Sequence, residues 1–325
     1  MKPQLIRLAG AALVLSAVSA LPVAAEPEMI SLVFNAAPQG PQTIGGDAFR
    51  RKLTELARGR IIVDARGGST MGSENAVLAA LRDGAVDMGA FSGSVVSAVV
   101  PEFGVFDVPF LFRDAAQAKA VADGPVGREL ARHFADKGLV LLAIGKQGFR
   151  HLTNSKHPIH SAADVKGLKI RVLPNEVYKM TFNALGAEAV PMEFTLVYPA
   201  LKDGRIDGEE NPVTTIFTSH FDEVQKYASL SGHFFGPIAF VANRDMFEAL
   251  TPADQAAIMA AAKVGAEATW KMNDEASKLD QLRKNGMEIV ENVDRQSFID
   301  ALKPLEGEFE KRFGKDLLAQ IRATP

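Results

Sequence analysis

The most informative segment of this chain reads Gly145-Lys-Gln-Gly-Phe-Arg-His-Leu-Thr-Asn-Ser155, continues as Asp164-Val-Lys-Gly-Leu-Lys-Ile-Arg-Val172 and closes on Asp207-Gly-Glu-Glu-Asn-Pro212. Its middle part predicts a short β-strand from Leu168 to Leu173, stopped by Pro174. Arg171 lies inside that strand among apolar neighbours, so we expect its side chain to be buried. A buried arginine is costly unless a carboxylate or a phosphate pairs with its guanidinium group.

Two kinds of partner would meet that need of Arg171. One is an aspartate or glutamate of the protein itself, which is the commoner origin of such a pattern. The other is the carboxylate of a ligand that enters a cleft. The strand alone leaves both alternatives open.

The order and spacing of several motifs resemble one protein family. After Gly148-Phe-Arg-His-Leu-Thr-Asn-Ser155 and the Arg171 strand come Leu185-Gly-Ala-Glu-Ala-Val-Pro-Met192, Val197-Tyr-Pro-Ala-Leu-Lys-Asp-Gly-Arg-Ile-Asp-Gly-Glu-Glu-Asn-Pro212 and Val224-Gln-Lys-Tyr227. Together they resemble the solute-binding proteins of tripartite ATP-independent periplasmic (TRAP) transporters. The resemblance reaches into the first half of the chain through Gly72-Ser-Glu-Asn75, Gly84-Ala-Val-Asp87 and Asp107-Val-Pro-Phe-Leu-Phe112.

The first 25 residues have the pattern of a secretory signal peptide. Lys2 and Arg7 precede an apolar run from Leu8 to Leu21, and small residues at 23–25 precede Glu26. The run is shorter than the ~20 apolar residues that a membrane anchor needs. We therefore expect cleavage after Ala25 and export to the periplasm.

Composition limits the function of the remaining 300 residues. Their length predicts two domains. Loss of Lys2 and Arg7 takes the formal net charge from -3 to -5, which argues against nucleic acid as a partner. The chain has no cysteine, so thiolate catalysis, disulfides and cysteine-based metal sites are excluded.

The first half alternates strands and helices, which predicts parallel βαβ units. In such sheets ligands bind beyond the carboxyl ends of the strands. Asn35, Glu74 and Ser92 occupy such positions. Each also has a simpler explanation as a turn residue or as a residue that starts a helix, and the surroundings of Ser92 lack the glycine at position 90 that a hydrolase nucleophile elbow requires.

A second set of α/β elements follows from Phe149. We place the first crossing between domains at about Gln147 to Phe149. The predicted division is lobe 1 at residues 26–148 plus 237–277 and lobe 2 at 149–236 plus 278–325. An alanine-rich helix, capped by Thr251 and running to about Asn285, would be a rod of about 50 Å. The predicted fold is therefore periplasmic-binding-protein-like, with two α/β lobes around a central cleft and a long helix across both, as the resemblance also implies.

Other clusters of polar residues carry no predicted chemistry. His151, His157 and His160 lack metal-ligand spacing and are expected to be solvated, and the spacing of Asp207, Glu209 and Glu210 does not fit a calcium site. Nucleotide-binding and zinc-protease motifs do not occur in the sequence. We predict no cofactor, no metal and no enzymatic activity.

The resemblance implies a role for individual residues. Arg171 resembles the family's principal carboxylate clamp, Arg150 a second cationic contact, and Asn211 an amide that binds the same carboxylate. Phe194 matches an aromatic residue that packs on the solute, Asn35 a polar contact from the other lobe, and Ser92 and Glu74 more variable positions. Phe235 stands where the family often has tyrosine, and it would make one end of the cleft less polar.

The function that follows is capture of a small organic acid by an arginine clamp and domain closure. The expected partners are the solute and the subunits of a TRAP membrane permease, and the protein is expected to be a monomer. A sensory binding protein that signals to a histidine kinase and a periplasmic enzyme acting on a carboxylate are the alternatives. The sequence does not identify the acid.

Overall fold

The computed structural model describes residues 26–325, so the predicted signal peptide lies outside the described residues. These residues form one sheet with the strand order β2-β1-β3-β8-β4-β7-β5-β6, and β9 pairs with β8. The strands are β1 Glu28–Phe34, β2 Ile61–Arg66, β3 Met88–Ser92, β4 Leu139–Asn154, β5 Lys169–Val172, β6 Glu188–Pro191, β7 Gly208–Pro212, β8 Tyr227–Asn243 and β9 Glu288–Val290.

Helices cover both sides of the sheet and begin at residues suited to capping. They are α1 Pro41–Ala57, α2 Glu74–Arg82, α3 Gly93–Val96, α4 Ala115–Asp123, α5 Pro125–Ala135, α6 Glu176–Ala184, α7 Val197–Lys202, α8 Val213–Thr218, α9 Arg244–Ala249, α10 Pro252–Trp270, α11 Glu275–Lys284, α12 Arg295–Leu302, α13 Glu306–Phe313 and α14 Lys315–Ala323. The side chains of Ser73, Asn175 and Thr251 accept hydrogen bonds from the first turns of α2, α6 and α10. The predicted cap at Thr251 is therefore confirmed.

Two long strands join two groups of shorter ones. β1, β2 and β3 lie on one side and form the sheet of the first lobe, and β5, β6 and β7 lie on the other side and form that of the second lobe. Between them β4 and β8, of 16 and 17 residues, run antiparallel to each other. The predicted α/β fold of two lobes is confirmed. β4 continues from Leu139 to Asn154 because it pairs with β8 along its length and also with β7 from Arg150 onward.

The pairing between β4 and β8 is irregular in its middle. The register shifts between Lys146 and Gly148, and Gly148 faces Gly236. Gly148 has a φ of 133°, and a Cβ there would lie 3.1 Å from the Cβ of Pro212. Only glycine suits that backbone conformation. The irregularity falls at the predicted crossing near Gln147 to Phe149.

The predicted continuous helix from Thr251 to about Asn285 is wrong. α10 ends at Trp270 and α11 begins at Glu275, so two helices replace one rod. Neither glycine nor proline causes the break. Asn273 and Asp274 lie in the break, and asparagine and aspartate favour helix starts over helix interiors. Nζ of Lys146 donates to the backbone carbonyl oxygen of Met272 at 2.7 Å. α10 packs on α1 and α11 on α8, so the pair still extends over both lobes.

The C-terminal helices contact the first half of the chain. Nε2 of Gln117 donates to the carbonyl oxygens of Ile321 and Thr324 at 3.0 and 3.1 Å, and Phe313 packs beside Gly104. Residues 278–325, which the predicted division assigns to lobe 2, therefore also contact residues of predicted lobe 1. Among residues 26–325 no helix combines the length and the apolar character needed to cross a membrane.

Candidate functional site

A cavity with about 680 Å³ of empty space, part of it open to solvent, lies between the two lobes. Seven of the eight predicted site residues line it: Asn35, Glu74 and Ser92 from the first lobe, and Arg150, Arg171, Phe194 and Asn211 from the second half of the chain. Asn35 directly follows β1 and Ser92 ends β3, and these parallel strands are neighbours. Their carboxyl ends therefore meet at one edge of the sheet, as α/β topology requires.

Arg171 is a buried cation that forms no salt bridge among the described residues. Its Nε and Nη2 both donate to the carbonyl oxygen of Met192, at 2.9 and 2.7 Å. Its Nη1 is buried and has no hydrogen-bond partner among residues 26–325. Burial lowers the pKa of Arg171 to about 10. The structure thus contains no internal salt bridge at Arg171 within the described residues, and the two N–H groups of Nη1 remain free for a ligand.

Phe194 lies beside this guanidinium group. The Arg171 Cζ atom is 5.8 Å from the centroid of the Phe194 ring, within the range of a cation–π contact. The ring thereby covers one side of the cation while leaving Nη1 without a partner. Both side chains contribute to the wall of the cavity.

Arg150 differs from Arg171 because its charge is paired within the protein. Its Nε and Nη2 donate to the two carboxylate oxygens of Glu210 at 2.5 and 2.8 Å, and both residues are buried. Burial alone would raise the pKa of Glu210, but the charge of Arg150 opposes it and leaves the pKa below its ordinary value. In the sequence, Glu210 was considered only as a calcium ligand, and its pairing with Arg150 was not predicted.

Asn211 is held in a fixed orientation beside the pair. Its Oδ1 accepts from Nη2 of Arg150 at 3.1 Å, and its Nδ2 donates to the carboxylate of Glu209. Oγ1 of Thr153 donates to the same carboxylate at 2.8 Å, and burial raises the pKa of Glu209 to about 7. An amide nitrogen carries two protons, so Asn211 keeps one donor beyond the bond to Glu209.

The wall from the first lobe is built around Glu74. Its Oε1 accepts from Nε2 of Gln42 at 2.5 Å and from the backbone N–H of Ser92 at 2.9 Å. Burial raises the pKa of Glu74, although hydrogen bonds from the backbone and side chain of Ser92 and from Gln42 oppose the increase. Gln42 was not singled out from sequence. Its position after Pro41, at the start of the helix that follows β1, is the signal that identifies it.

Two contacts connect the walls of the cleft. Nδ2 of Asn75 on α2 donates to Oε1 of Glu193 at 2.7 Å. Nδ2 of Asn175 donates to Oδ2 of Asp107 at 3.0 Å, and burial raises the pKa of Asp107 to about 7. The lobes therefore touch on both sides of the cavity.

The prediction that Phe235 faces the ligand site is wrong. Phe235 is buried in an aromatic cluster and does not line the cavity. Its ring stacks on Trp270 at 5.8 Å and meets Phe149 edge to face at 5.5 Å, both between ring centroids. The cause is its position beside Gly236 in the irregular middle of β8, where the side chain packs into the core.

His151 is buried on β4 and is not solvated. Its Nδ1 accepts from the backbone N–H of Gly232 at 3.0 Å, whereas His157 and His160 are exposed as predicted. Pairing of β4 with β8 places His151 inside. Among residues 26–325 no group of three or more His, Cys, Asp or Glu side chains is arranged to hold a metal ion.

Comparison with known proteins gives consistent matches over nearly the whole chain. Residues 33–312 match the family described as "Bacterial extracellular solute-binding protein, family 7". A protein from Verminephrobacter eiseniae named "Solute-binding protein" is 39% identical over 285 residues, covering 87% of this chain and 85% of that protein. The 2,3-diketo-L-gulonate-binding periplasmic protein YiaO of Escherichia coli is 34% identical, covering 80% of each.

A solved structure shares the architecture. It is a TRAP periplasmic solute binding protein from Polaromonas sp. JS666, bound to D-erythronate, with 34% sequence identity and a TM-score of 0.89. The match covers 91% of this chain and 99% of that one. The similarity therefore includes both lobes and the cavity between them.

Proposed function

The chain belongs to bacterial extracellular solute-binding protein family 7, the solute-binding proteins of TRAP transporters, and we propose that it captures a small organic acid through Arg171. Members of this family are periplasmic proteins that bind small carboxylates, including sugar acids, for transport. The chain is accordingly a binding protein and not an enzyme.

The observation that supports this proposal most strongly is the free Nη1 of Arg171. A buried, unpaired cation is unfavourable in the empty protein, and a carboxylate is the group that matches a guanidinium best. The second amide proton of Asn211 lies on the same wall of the cavity. Arg150 contributes by fixing Asn211 and by placing its own paired guanidinium at the cavity, since among the described residues its Nη1 makes no hydrogen bond.

The second part of the proposal is closure of the lobes over the solute. The irregular middle of β4 and β8, at Gly148 and Gly236, provides the hinge, with domain boundaries at the predicted 148/149 and 236/237. A solute that contacts both walls stabilises the closed form by its differential affinity for that form. Closure also removes water, which strengthens the interaction between Arg171 and the carboxylate.

The third part concerns delivery. The closed, loaded protein, acting as a monomer after removal of the signal peptide, presents a surface that a TRAP membrane permease recognises. The D-erythronate bound to the Polaromonas protein and the diketo-gulonate named for YiaO favour sugar acids among carboxylates. The proposed function involves no nucleic-acid partner.

A thermal-shift screen tests the proposed function. We expect sugar acids or other organic acids to raise the melting temperature, because a ligand at several hundred times its dissociation constant adds ~3–4 kcal/mol to the free energy of unfolding. The corresponding neutral polyols and methyl esters serve as controls and should give no shift. A response to the neutral compounds alone would contradict capture by Arg171.

Asn75→Ala tests the contact across the cleft. Loss of the hydrogen bond to Glu193 should weaken the closed form by ~0.5–1.5 kcal/mol, so the solute should dissociate roughly two- to twelvefold faster. Stopped-flow measurement of dissociation checks this. Asn285→Ala is the matched control, since Asn285 also donates to a carboxylate, that of Asp222 at 2.8 Å, but within the second lobe. Equal effects of the two substitutions would argue against closure.

A further inference from the structure

The cavity carries information about the far end of the solute. We infer that the solute is a monocarboxylate bearing hydroxyl groups and that unsubstituted dicarboxylates of the same length are rejected. This inference rests on the proposed function, because it takes the carboxylate to be bound by Arg171.

The charges of the cavity favour one carboxylate and not two. The cationic side chains that line it are Arg150 and Arg171, and the part of the chain that the structure describes adds no lysine or histidine to the lining. The charge of Arg150 is already met by Glu210. Arg171 forms no salt bridge among the described residues, and it matches one carboxylate. Two further carboxyl groups, those of Glu74 and Glu193, also line the cavity.

Three N–H donors of the first-lobe wall are used within the protein. Nδ2 of Asn35 donates to the carbonyl of Gly72 at 2.8 Å. Nε2 of Gln42 and the backbone N–H of Ser92 both donate to Glu74. A second solute carboxylate needs donors, and these three groups are already committed.

What this wall offers is acceptors. Asn35 is 7% exposed, and its Oδ1 is buried with no partner among the described residues. The carbonyl oxygen of Gly72 can only accept a hydrogen bond, so the Asn35 amide must point its Nδ2 toward Gly72. Oδ1 of Asn35 then has no partner within residues 26–325. Glu74, whose Oε1 accepts from Gln42 and from the backbone N–H of Ser92, adds a carboxylate to the same wall. Hydroxyl groups of a solute satisfy such acceptors, whereas a carboxylate repels them.

A protonated Glu74 would reverse this preference. Burial raises the pKa of Glu74, and a neutral carboxyl group could donate its proton to a second solute carboxylate. In that case dicarboxylates would bind as well as hydroxy acids. The two arrangements make opposite predictions for matched solutes.

Titration calorimetry at pH 7 with two matched pairs separates them: D-erythronate against succinate, with four carbons each, and D-galactonate against adipate, with six. We expect the affinity of the tighter-binding aldonate to exceed that of its matched dicarboxylate by about a hundredfold or more, which is the effect of placing like charges side by side. A dicarboxylate that binds as tightly as its matched aldonate would overturn the inference and leave the proposed function intact. If none of the four acids binds, the inference fails. If only solutes without a carboxylate bind, the proposed function fails with it.

Glu74→Gln tests the residue that carries the inference. Removal of its charge should reduce the ratio of aldonate to dicarboxylate affinity by about tenfold or more. Glu176→Gln is the matched control, because Glu176 occupies the same first-turn position on α6 but is exposed and does not line the cavity. An unchanged ratio in a folded Glu74→Gln protein would contradict the assignment.

Discussion

Arg171→Ala is expected to raise the dissociation constant of the acid roughly thirtyfold to several-thousandfold, because truncating one partner of a buried charge pair costs ~2–5 kcal/mol. Titration calorimetry with the best acid from the screen measures this loss. The free Nη1 of Arg171 is the donor that the solute carboxylate loses. Arg205→Ala is the matched control, since Arg205 lies in the same lobe but is exposed beside Asp203.

The stability of the empty Arg171 variant decides between the two partners that the sequence left open. Within residues 26–325 no carboxylate forms a salt bridge with Arg171, and burial lowers its pKa to about 10. Removing an unbalanced buried charge should not lower the free energy of unfolding of the ligand-free protein. Arg171→Met, which keeps much of the side-chain volume, should melt at or above the temperature of the parent. A large loss of stability in both variants would instead indicate a structural role.

Unlike the Arg171 variants, Glu210→Ala is expected to lower the free energy of unfolding of the ligand-free protein by about 3–5 kcal/mol, because it leaves the charge of Arg150 buried without a partner. Urea unfolding of the ligand-free protein measures the change. The double variant Arg150→Met/Glu210→Leu should recover most of the loss, since an apolar pair of similar volume avoids the desolvation of both charges. A loss below about 1 kcal/mol for Glu210→Ala would mean that the pair is not formed as described.

The same pair makes stability depend on pH in a defined direction. The pKa of Glu210 is lower in the folded protein than its ordinary value, so the unfolded chain binds this proton more readily. The stabilisation is therefore fully present above the unfolded pKa and is lost as the pH falls through the folded pKa. Glu210→Gln should remove this contribution to the acid limb of the stability profile.

Much of the fold was predictable because local signals marked the element boundaries. Ser73, Asn175 and Thr251 cap helices as their residue types indicate. The apolar strand around Arg171 is buried, as its pattern predicts. These features depend on residues a few positions apart, which is the range over which sequence patterns are informative.

The features that were missed depend on contacts between distant parts of the chain. Arg150 and Glu210 are 60 residues apart, and they meet only because β4 pairs with β7 next to an irregular register. The break after Trp270 involves no glycine or proline, and it is accompanied by a bond from Lys146, 126 residues away. Phe235 was assigned to the cleft by resemblance, while the register of β8 directs it into the core. Tertiary context therefore determined all three outcomes.

A crystal structure of the protein with its tightest-binding acid is the most direct test of capture by Arg171. We expect a solute carboxylate oxygen within ~2.7–2.9 Å of Nη1 of Arg171, with the amide of Asn211 beside it and the hydroxyl groups of the solute toward Asn35 and Glu74. A solute whose carboxylate lies elsewhere, with the guanidinium of Arg171 still bonded only to the carbonyl of Met192, would contradict it.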